Sequence, residues 1–349
     1  MEHREGITTE VHDWTMLKAA SLIEDQHVIE IDGSAPVEQA CNALIDNNIS
    51  SAPVYTTEVK KHLGTTIQGK SYVGMFDYGD VIAYILLVLK KTTADEAGSM
   101  EIKDIVKRAI EGQQVPVSLA SDLSQKNPFY SILPEATLLS AVEEFGCGTH
   151  RVCVLNPDGQ VKGILSQSTV VKYLFENKHR FPEIDALFSR TLRQLNLGQT
   201  TVVAVSSDSS VLDALSQMSK YGVSSVAVIG HMGVIVGNIS MTDVKHVLKS
   251  IRHRLLWKTC FQFVSLIRNQ QGIEDGQDRL PVFDVKLDTT LGIAVAKIIA
   301  TKSHRVWVTD ELDRVIGVVS LTDVMVAVAS VAGVEINVDR RGSVAKVAE

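Results

Sequence analysis

The chain is short of the residues that most often announce a chemistry. Its 349 residues include only four cysteines, eight prolines and 5% aromatic side chains. The cysteines are Cys41, Cys147, Cys153 and Cys260. None forms a C-x-x-C pair, and histidine spacing does not complete a zinc set, so no metal is expected. Reduced, mostly buried thiols in a cytoplasmic or nuclear protein are expected instead. The scarcity of aromatics disfavours a surface built to stack bases. Positive charge is also scarce: 34 lysines and arginines stand against 41 acids, a formal net charge of −7. That excludes a broad basic surface for coating nucleic acid and leaves only a local cationic pocket. The longest wholly apolar run, Val81–Leu89, has nine residues. A membrane span needs about 20, so no membrane partner is expected. The opening MEHREGITTE is charged and lacks an apolar h-region, so no secretory leader is expected. Neither a G-x-S-x-G elbow nor a G-x-x-x-x-G-K-[ST] loop occurs, and no Ser-His-Asp set can be argued, so a non-catalytic protein is expected.

What the chain does have is a pattern repeated four times. A short apolar strand, a glycine, a second apolar strand, a small polar residue and a helix recur in order. The segments are YVGMFDYGDVI, VKGILSQSTVV, IVGNISMTDVK and VIGVVSLTDVM, anchored on Gly74, Gly163, Gly237 and Gly317. Six residues past each glycine stand Asp80, Thr169, Asp243 and Asp323. Twelve before the last three glycines stand Arg151, Ser225 and Arg305, and thirteen before stand His150, Ser224 and His304. Each repeat opens with a strand, a polar turn and an amphipathic helix, as at Val211, Leu212, Leu215 and Met218. Asp208 and Asp288 occupy the expected N-cap positions. The unit is therefore β-α-β-β-α, and one unit alone cannot bury both its helices. Two side by side can, which predicts two pairs near residues 20–190 and 198–330.

The expected division is an N-terminal segment over 1–19, repeats over 20–90, 129–190, 198–250 and 281–333, connectors over 91–128 and 251–280, and a disordered tail over 334–349. The first connector is expected to hold one helix. Lys245–Lys258 gathers Lys245, His246, Lys249, Arg252, His253, Arg254 and Lys258. It reads as a docking helix for an acidic partner or as the solvated face of an interdomain helix. In the tail, Arg340 and Arg341 precede Ser343 with the spacing that basophilic kinases read, so Ser343 is a candidate phosphorylation site.

Four such units, with H-R before the second strand and S-x-[ST]-D after the glycine, resemble cystathionine-β-synthase (CBS) domains. Their two pairs resemble Bateman modules joined into a disk, as in the γ subunit of AMP-activated (SNF1-type) protein kinase. NPFYSILPEATLLSAV, HRVCVLN, KGILSQSTVVKYLFEN and GNISMTDVKHV more closely resemble the fungal Sds/Moc proteins. That resemblance implies an α/β (α+β) fold and regulation of a type-2A-like protein phosphatase or of protein kinase subunits. It also implies nutrient, stress and cell-cycle signalling in cytoplasm and nucleus.

The resemblance further implies roles for the recurring residues. A carboxylate at the start of the second helix can accept from both hydroxyls of a ribose, which marks Asp80, Asp243 and Asp323 and leaves Thr169 as a degenerate site. Arg151 and Arg305 suit phosphate oxygens, with His150, His304, Ser224 and Ser225 as further donors. AMP, ADP or ATP would then be regulatory ligands, with no cofactor required. Alternatives are capping aspartates without a ligand, H-R pairs that bond carboxylates at a strand edge, a γ-type kinase subunit, and an interaction scaffold with vestigial clefts. Ser50 and Ser51 stand where the γ subunits carry an arginine.

Overall fold

In the computed structural model, residues 13–23, 26–62, 65–89, 100–248, 253–275 and 284–336 are described. Each repeat forms one three-stranded sheet with its first strand parallel and its third antiparallel to the middle one. Repeat 1 comprises β1 (Ile31–Asp32), α1 (Val37–Asp46), β2 (Ser51–His62), β3 (Thr65–Asp77) and α2 (Tyr78–Val88). The connector holds two helices, α3 (Met100–Ile110) and the single turn α4 (Val117–Ala120). Repeat 2 follows with β4 (Ser131–Ile132), α5 (Leu138–Gly146), β5 (Arg151–Leu155), β6 (Val161–Ser166) and α6 (Gln167–Glu176), and then α7 (Pro182–Ser189). Repeat 3 is β7 (Ala204–Ser206), α8 (Val211–Lys220), β8 (Ser225–Ile229), β9 (Ile235–Ser240) and α9 (Val244–Leu248), followed by α10 (Cys260–Asp275). Repeat 4 is β10 (Asp284–Val285), α11 (Leu291–Thr301), β11 (Arg305–Thr309), β12 (Val315–Ser320) and α12 (Leu321–Val331).

The sequence pattern explains the sheets. The middle strands RVCVL, SVAVI and RVWVT are buried along nearly their whole length, as continuous apolar runs should be. The third strands alternate, with every second residue inward. In all four hairpins a valine faces the anchoring glycine and the register shifts at the next residue: Val54 and Gly74, Val154 and Gly163, Val228 and Gly237, Val308 and Gly317. The bulge lies at the same place each time, so the glycine marks a structural position as well as a sequence one.

The caps correct one expectation. Asp208 and Asp288 do not cap. Ser210 and Thr290 do, two residues later, because the capping oxygen must reach the backbone N–H of the third helical residue. Ser210 accepts from the Asp213 N–H, and the Asp213 carboxylate returns to the Ser210 N–H, a closed capping box. Asp288 instead pairs with Arg193 at the surface. Accordingly, Ser210→Ala should destabilise by about 0.5–2 kcal/mol, whereas Asp208→Ala should change the urea midpoint by no more than the scatter of repeat measurements.

Two apolar cores hold the chain, and neither lies within a sequence half. One unites repeats 1 and 3, with α2 against α8 and α9. The other unites repeats 2 and 4, with α12 against α5, α6 and α7, and α11 against α6 and α7. The expectation that the helices of repeats 1 and 2 bury one another is therefore corrected. Repeats 1 and 2, and repeats 3 and 4, meet through their sheets instead. Cys153 Sγ touches Met75 Sδ at 3.9 Å across the first pair, and Trp307 donates to Asn238 at 3.1 Å across the second.

Within each pair the leading segments are exchanged. Residues 14–23, ahead of repeat 1, and Gln26 pack on repeat 2: Ala19 donates to the Ala136 carbonyl, Leu138 to the Leu17 carbonyl, Ile164 to Gln26 Oε1, and Trp14 and Ile23 are buried there. Residues 115–122, ahead of repeat 2, pack on repeat 1, through Val37 N–H to Val115 and Val117 N–H to Ala35. Residues 190–198 bond repeat 4 and residues 258–264 bond repeat 3 in the same manner. Each visiting segment crosses its host sheet at the anchoring glycine. A Cβ on Gly163 would meet Ile23 Cδ1 at 2.5 Å and one on Gly237 would meet Val264 at 3.0 Å. On Gly317 it would overlap the Gly198 carbonyl oxygen.

Candidate functional site

The strand pairing places the recurring polar residues. Arg151 faces Ser166, Ser225 faces Ser240 and Arg305 faces Ser320 across their hairpins. The residue before each lends its carbonyl to the first N–H of the second helix: His150 to Gln167 at 3.0 Å, Ser224 to Met241 at 2.9 Å and His304 to Leu321 at 3.0 Å. These side chains therefore stand beside the positive end of a helix, where anions are favoured.

Both arginines reach into the partner repeat of their own pair. Arg151 donates to Ser50 at 3.2 Å and to Ser51, and Arg305 donates to Ser224. Neither closes an ion pair among the described residues, so the strand-edge pairing with carboxylates does not occur there. Among the described residues, the Arg151 Nε–H is without a partner, and so is the Ser225 hydroxyl. Serine at the first and third positions thus does structural work. It gives each guanidinium an uncharged acceptor and keeps two further cations out of a crowded space.

Repeats 2 and 4 meet here, and a connector lysine joins them. Burial, then Arg151, His304, Arg305 and Lys126, push His150 down to about 3. His304 keeps an edge exposed to solvent; burial of the rest of the ring, then Arg151 and Arg305, push it down to about 4. Burial pushes Lys126 down to about 8 against the pull of Asp77. Burial pushes Arg305 down to about 10, with Asp323 opposing. Burial therefore suppresses the charge of all five basic side chains, and neighbouring cations add to it at His150, His304 and Lys126. An anion bound among them would relieve that suppression.

The carboxylates are third residues of capping boxes rather than caps. Asp243 Oδ2 accepts from the Ser240 N–H and hydroxyl, both at 2.7 Å, and Asp323 Oδ2 from those of Ser320 at 2.8 and 2.7 Å. Asp80 differs. Its Oδ2 takes the Asp77 N–H, its Oδ1 takes the Ser124 N–H at 2.9 Å, and it is 1% exposed. Burial and the adjacent Asp77 hold it well above the usual carboxylate range. Thr169 keeps the capping geometry with a hydroxyl, 3.0 Å from Ser166 Oγ.

Three residues of this region escaped the sequence reading. Asp77 takes the place that serine holds in the other repeats, and it caps α2 through Gly79 and Asp80 while accepting from Asn127. Its signal was visible: FDYGD stands where the other repeats read S-x-x-D or S-x-x-T. Lys126 and Asn127 belong to no repeat and had no signal. The basic stretch Lys245–Lys258 is not one helix, because α9 ends at Leu248 and a 3-10 turn covers His253–Trp257. His246 is buried, and Lys249, Arg252 and Ser343 lie outside the described residues. Among the described residues, no group of three or more histidines, cysteines and acids is placed to hold a metal, and no helix is long and apolar enough to cross a membrane.

The family model of the CBS domain matches residues 120–176, 196–250 and 278–330. The chain is a CBS-domain protein. Relatives covering most of it carry the name sds23. That of Aspergillus clavatus is 40% identical over 304 residues, 86% of this chain and 56% of its own length. That of Candida albicans is 36% identical over 85% of this chain and 49% of its own. The relative in Kluyveromyces lactis is 35% identical over 89% and 62%. The chain thus spans about half to three fifths of the length of these relatives. A Methanocaldococcus jannaschii protein, described as a candidate archaeal homologue of the AMPK γ subunit, shares the fold. Its TM-score is 0.62 over 88% of this chain and 99% of its own, at 14% identity. The first CBS repeat falls outside the residues that the family model matches. It has the long hairpin of β2 and β3, the aspartate in the serine position and a connector laid across its carboxylate.

Proposed function

We propose that this CBS-domain protein is a regulator that binds an adenine nucleotide where repeats 2, 3 and 4 meet, and that nucleotide binding modulates a type-2A-like protein phosphatase. The observation that carries the reading is the convergence of Arg151, Arg305, His150, His304 and Lys126 with no carboxylate among the described residues closing an ion pair on either arginine. Phosphate supplies the missing negative charge. In this reading Asp243 and Asp323 accept from ribose hydroxyls while keeping their bonds to Ser240 and Ser320. Asp80, enclosed by its own connector, is left out of the ligand set, as is Thr169. The sds23 relatives agree with a regulatory rather than catalytic role, and cytoplasm and nucleus suit such a partner. One observation favours a second reading, an interaction scaffold or γ-type kinase subunit: in repeat 1 the chain itself fills the cleft.

The test is a thermal-shift series with AMP, ADP, ATP and adenosine. A ligand at 100 times its dissociation constant stabilises by about 2.7 kcal/mol. At least one nucleotide should raise the midpoint, and adenosine at equal concentration should not. No shift with any nucleotide would favour the scaffold. The pH dependence has a definite sign. His150 and His304 are neutral in the free protein at pH 6.5–7.5, and a bound phosphate raises both. Binding should therefore take up protons and tighten as pH falls from 7.5 to 6.5. Below about pH 6 the phosphate itself protonates and the trend ends. Calorimetry in two buffers of different ionisation enthalpy reads the proton uptake directly.

A further inference from the structure

Away from the cluster of Arg151, Arg305, His150, His304 and Lys126, the join between repeats 3 and 4 carries a surface that the proposed nucleotide binding does not use. Residues 244–273 contain no aspartate or glutamate and six lysines and arginines, in a chain of net charge −7. The start of this join is held rigidly. Lys258 lends its carbonyl to Val211, and Cys260 and Phe261 donate to the carbonyls of Ser209 and Ser207. Leu255, Leu256, Cys260, Phe263, Val264 and Ile267 turn inward into the core of repeats 1 and 3. Arg254, Trp257, Lys258 and Phe261 turn outward. Trp257 is 61% and Phe261 53% exposed, whereas Trp14 and Trp307, the other two tryptophans, are 1% and 3% exposed. Arg254 and Lys258 close no ion pair among the described residues. Among the described residues, two acids border the patch: the exposed Asp208, between the serines whose carbonyls take Cys260 and Phe261, and Asp213, which is engaged by Ser210.

We propose that this face docks an acidic peptide segment of a partner protein. Trp257 and Phe261, four residues apart, grip an apolar side chain of that segment, while Arg254 and Lys258 meet its carboxylates. Tryptophan and arginine are the residues that most often dominate binding at interfaces. The platform is already fixed by backbone bonds to α8, so little ordering is lost on docking. Charge complementarity selects an acidic segment over a neutral one. An anionic membrane is disfavoured, because the rest of the chain is acidic and would be repelled from it.

The experiment uses the full chain and a labelled 12-residue peptide of aspartate and glutamate with two central leucines. Anisotropy should show saturable binding that weakens with salt. Trp257→Ala and the double variant Arg254→Glu/Lys258→Glu should each weaken it at least tenfold. Replacing the leucines by serine should do the same, and Lys172→Glu on the remote α6 should change it less than twofold. Trp257 dominates the exposed tryptophan emission, so the unlabelled peptide should shift that emission to the blue and shield it from acrylamide. Because the substituted side chains point to solvent, the unfolding midpoints of the variants should match the parent. Absence of saturable binding, or binding indifferent to these variants, overturns the proposal. So does an equal blue shift on phosphatidylserine vesicles, or concentration-dependent shielding of Trp257 without peptide, which would assign the face to a membrane or to a second copy of the chain.

Discussion

Arg305→Ala is expected to weaken AMP binding by about 10- to 150-fold, and Thr169→Ala by less than about twofold. Arg305 is held by Ser224, the residue of its partner repeat that matches His304, and Asp323 opposes its deprotonation. In the proposed reading it serves as a fixed cation whose fork suits phosphate oxygens. Removing one partner of a charge-assisted bond costs about 1.5–3 kcal/mol, which converts to that range of affinity. Thr169 is the third residue of its helix, its N–H donates to the capping Ser166, and it offers the ligand no charge. Isothermal calorimetry on the two variants decides the matter. Equal and small effects would mean that the arginines only hold the sheets together, and the scaffold reading would replace the proposed one.

The largest effect on stability should come from Gly317→Ala. A methyl group there collides with the backbone of Gly198, in the segment exchanged onto repeat 4. Backbone cannot rotate away, so the segment must lift from the sheet and carry Leu192 and Leu197 with it. Overpacking a core costs about 1–3 kcal/mol and occasionally more. This site belongs at or above the upper end, about 3 kcal/mol. Gly163→Ala meets Ile23 Cδ1 at 2.5 Å, with Ile23 Cβ at 3.2 Å and Gln26 Oε1 at 3.3 Å; the hardest contact is a side-chain end that can change rotamer, so this variant should cost less. Urea titrations of both variants against the parent give the order. A Gly317 variant as stable as the Gly163 variant would show that the visiting segment is not held where the geometry puts it.

The fourfold pattern was legible because strand, glycine and capping residue recur at offsets that secondary structure dictates. The bulge opposite each glycine and the H-R pair beside each helix start follow from those offsets. Which helices share a core was not legible. α2 is apolar on nearly every side, as in VIAYILLV, and such a surface fits any other apolar helix. Only the three-dimensional arrangement sends it to α8 rather than α5. The misplaced caps at Asp208 and Asp288 have a similar origin. D-x-S-V and D-x-T-L each offer two capping oxygens, and one register step decides between them. Asp77 could have been found by aligning the capping position alone. Lys126 could not, because it enters the site from a connector whose length differs from every other.

The exchange of leading segments has a consequence for how the chain comes off the ribosome. Residues 14–23 emerge long before repeat 2, the sheet they cover, has been made. Repeat 1 has its sheet complete at Asp77 but must await residues 115–122 to cover it, and its core must then await α8 and α9 from repeat 3. Repeat 2 likewise waits for α11 and α12, which end at Val331. Such long-range closure slows folding and keeps apolar surface open for most of synthesis. Neither half of the chain holds a finished core, so a ribosome stalled midway presents a nascent protein that folding helpers must shelter. The fold becomes self-sufficient only when the last helix is released.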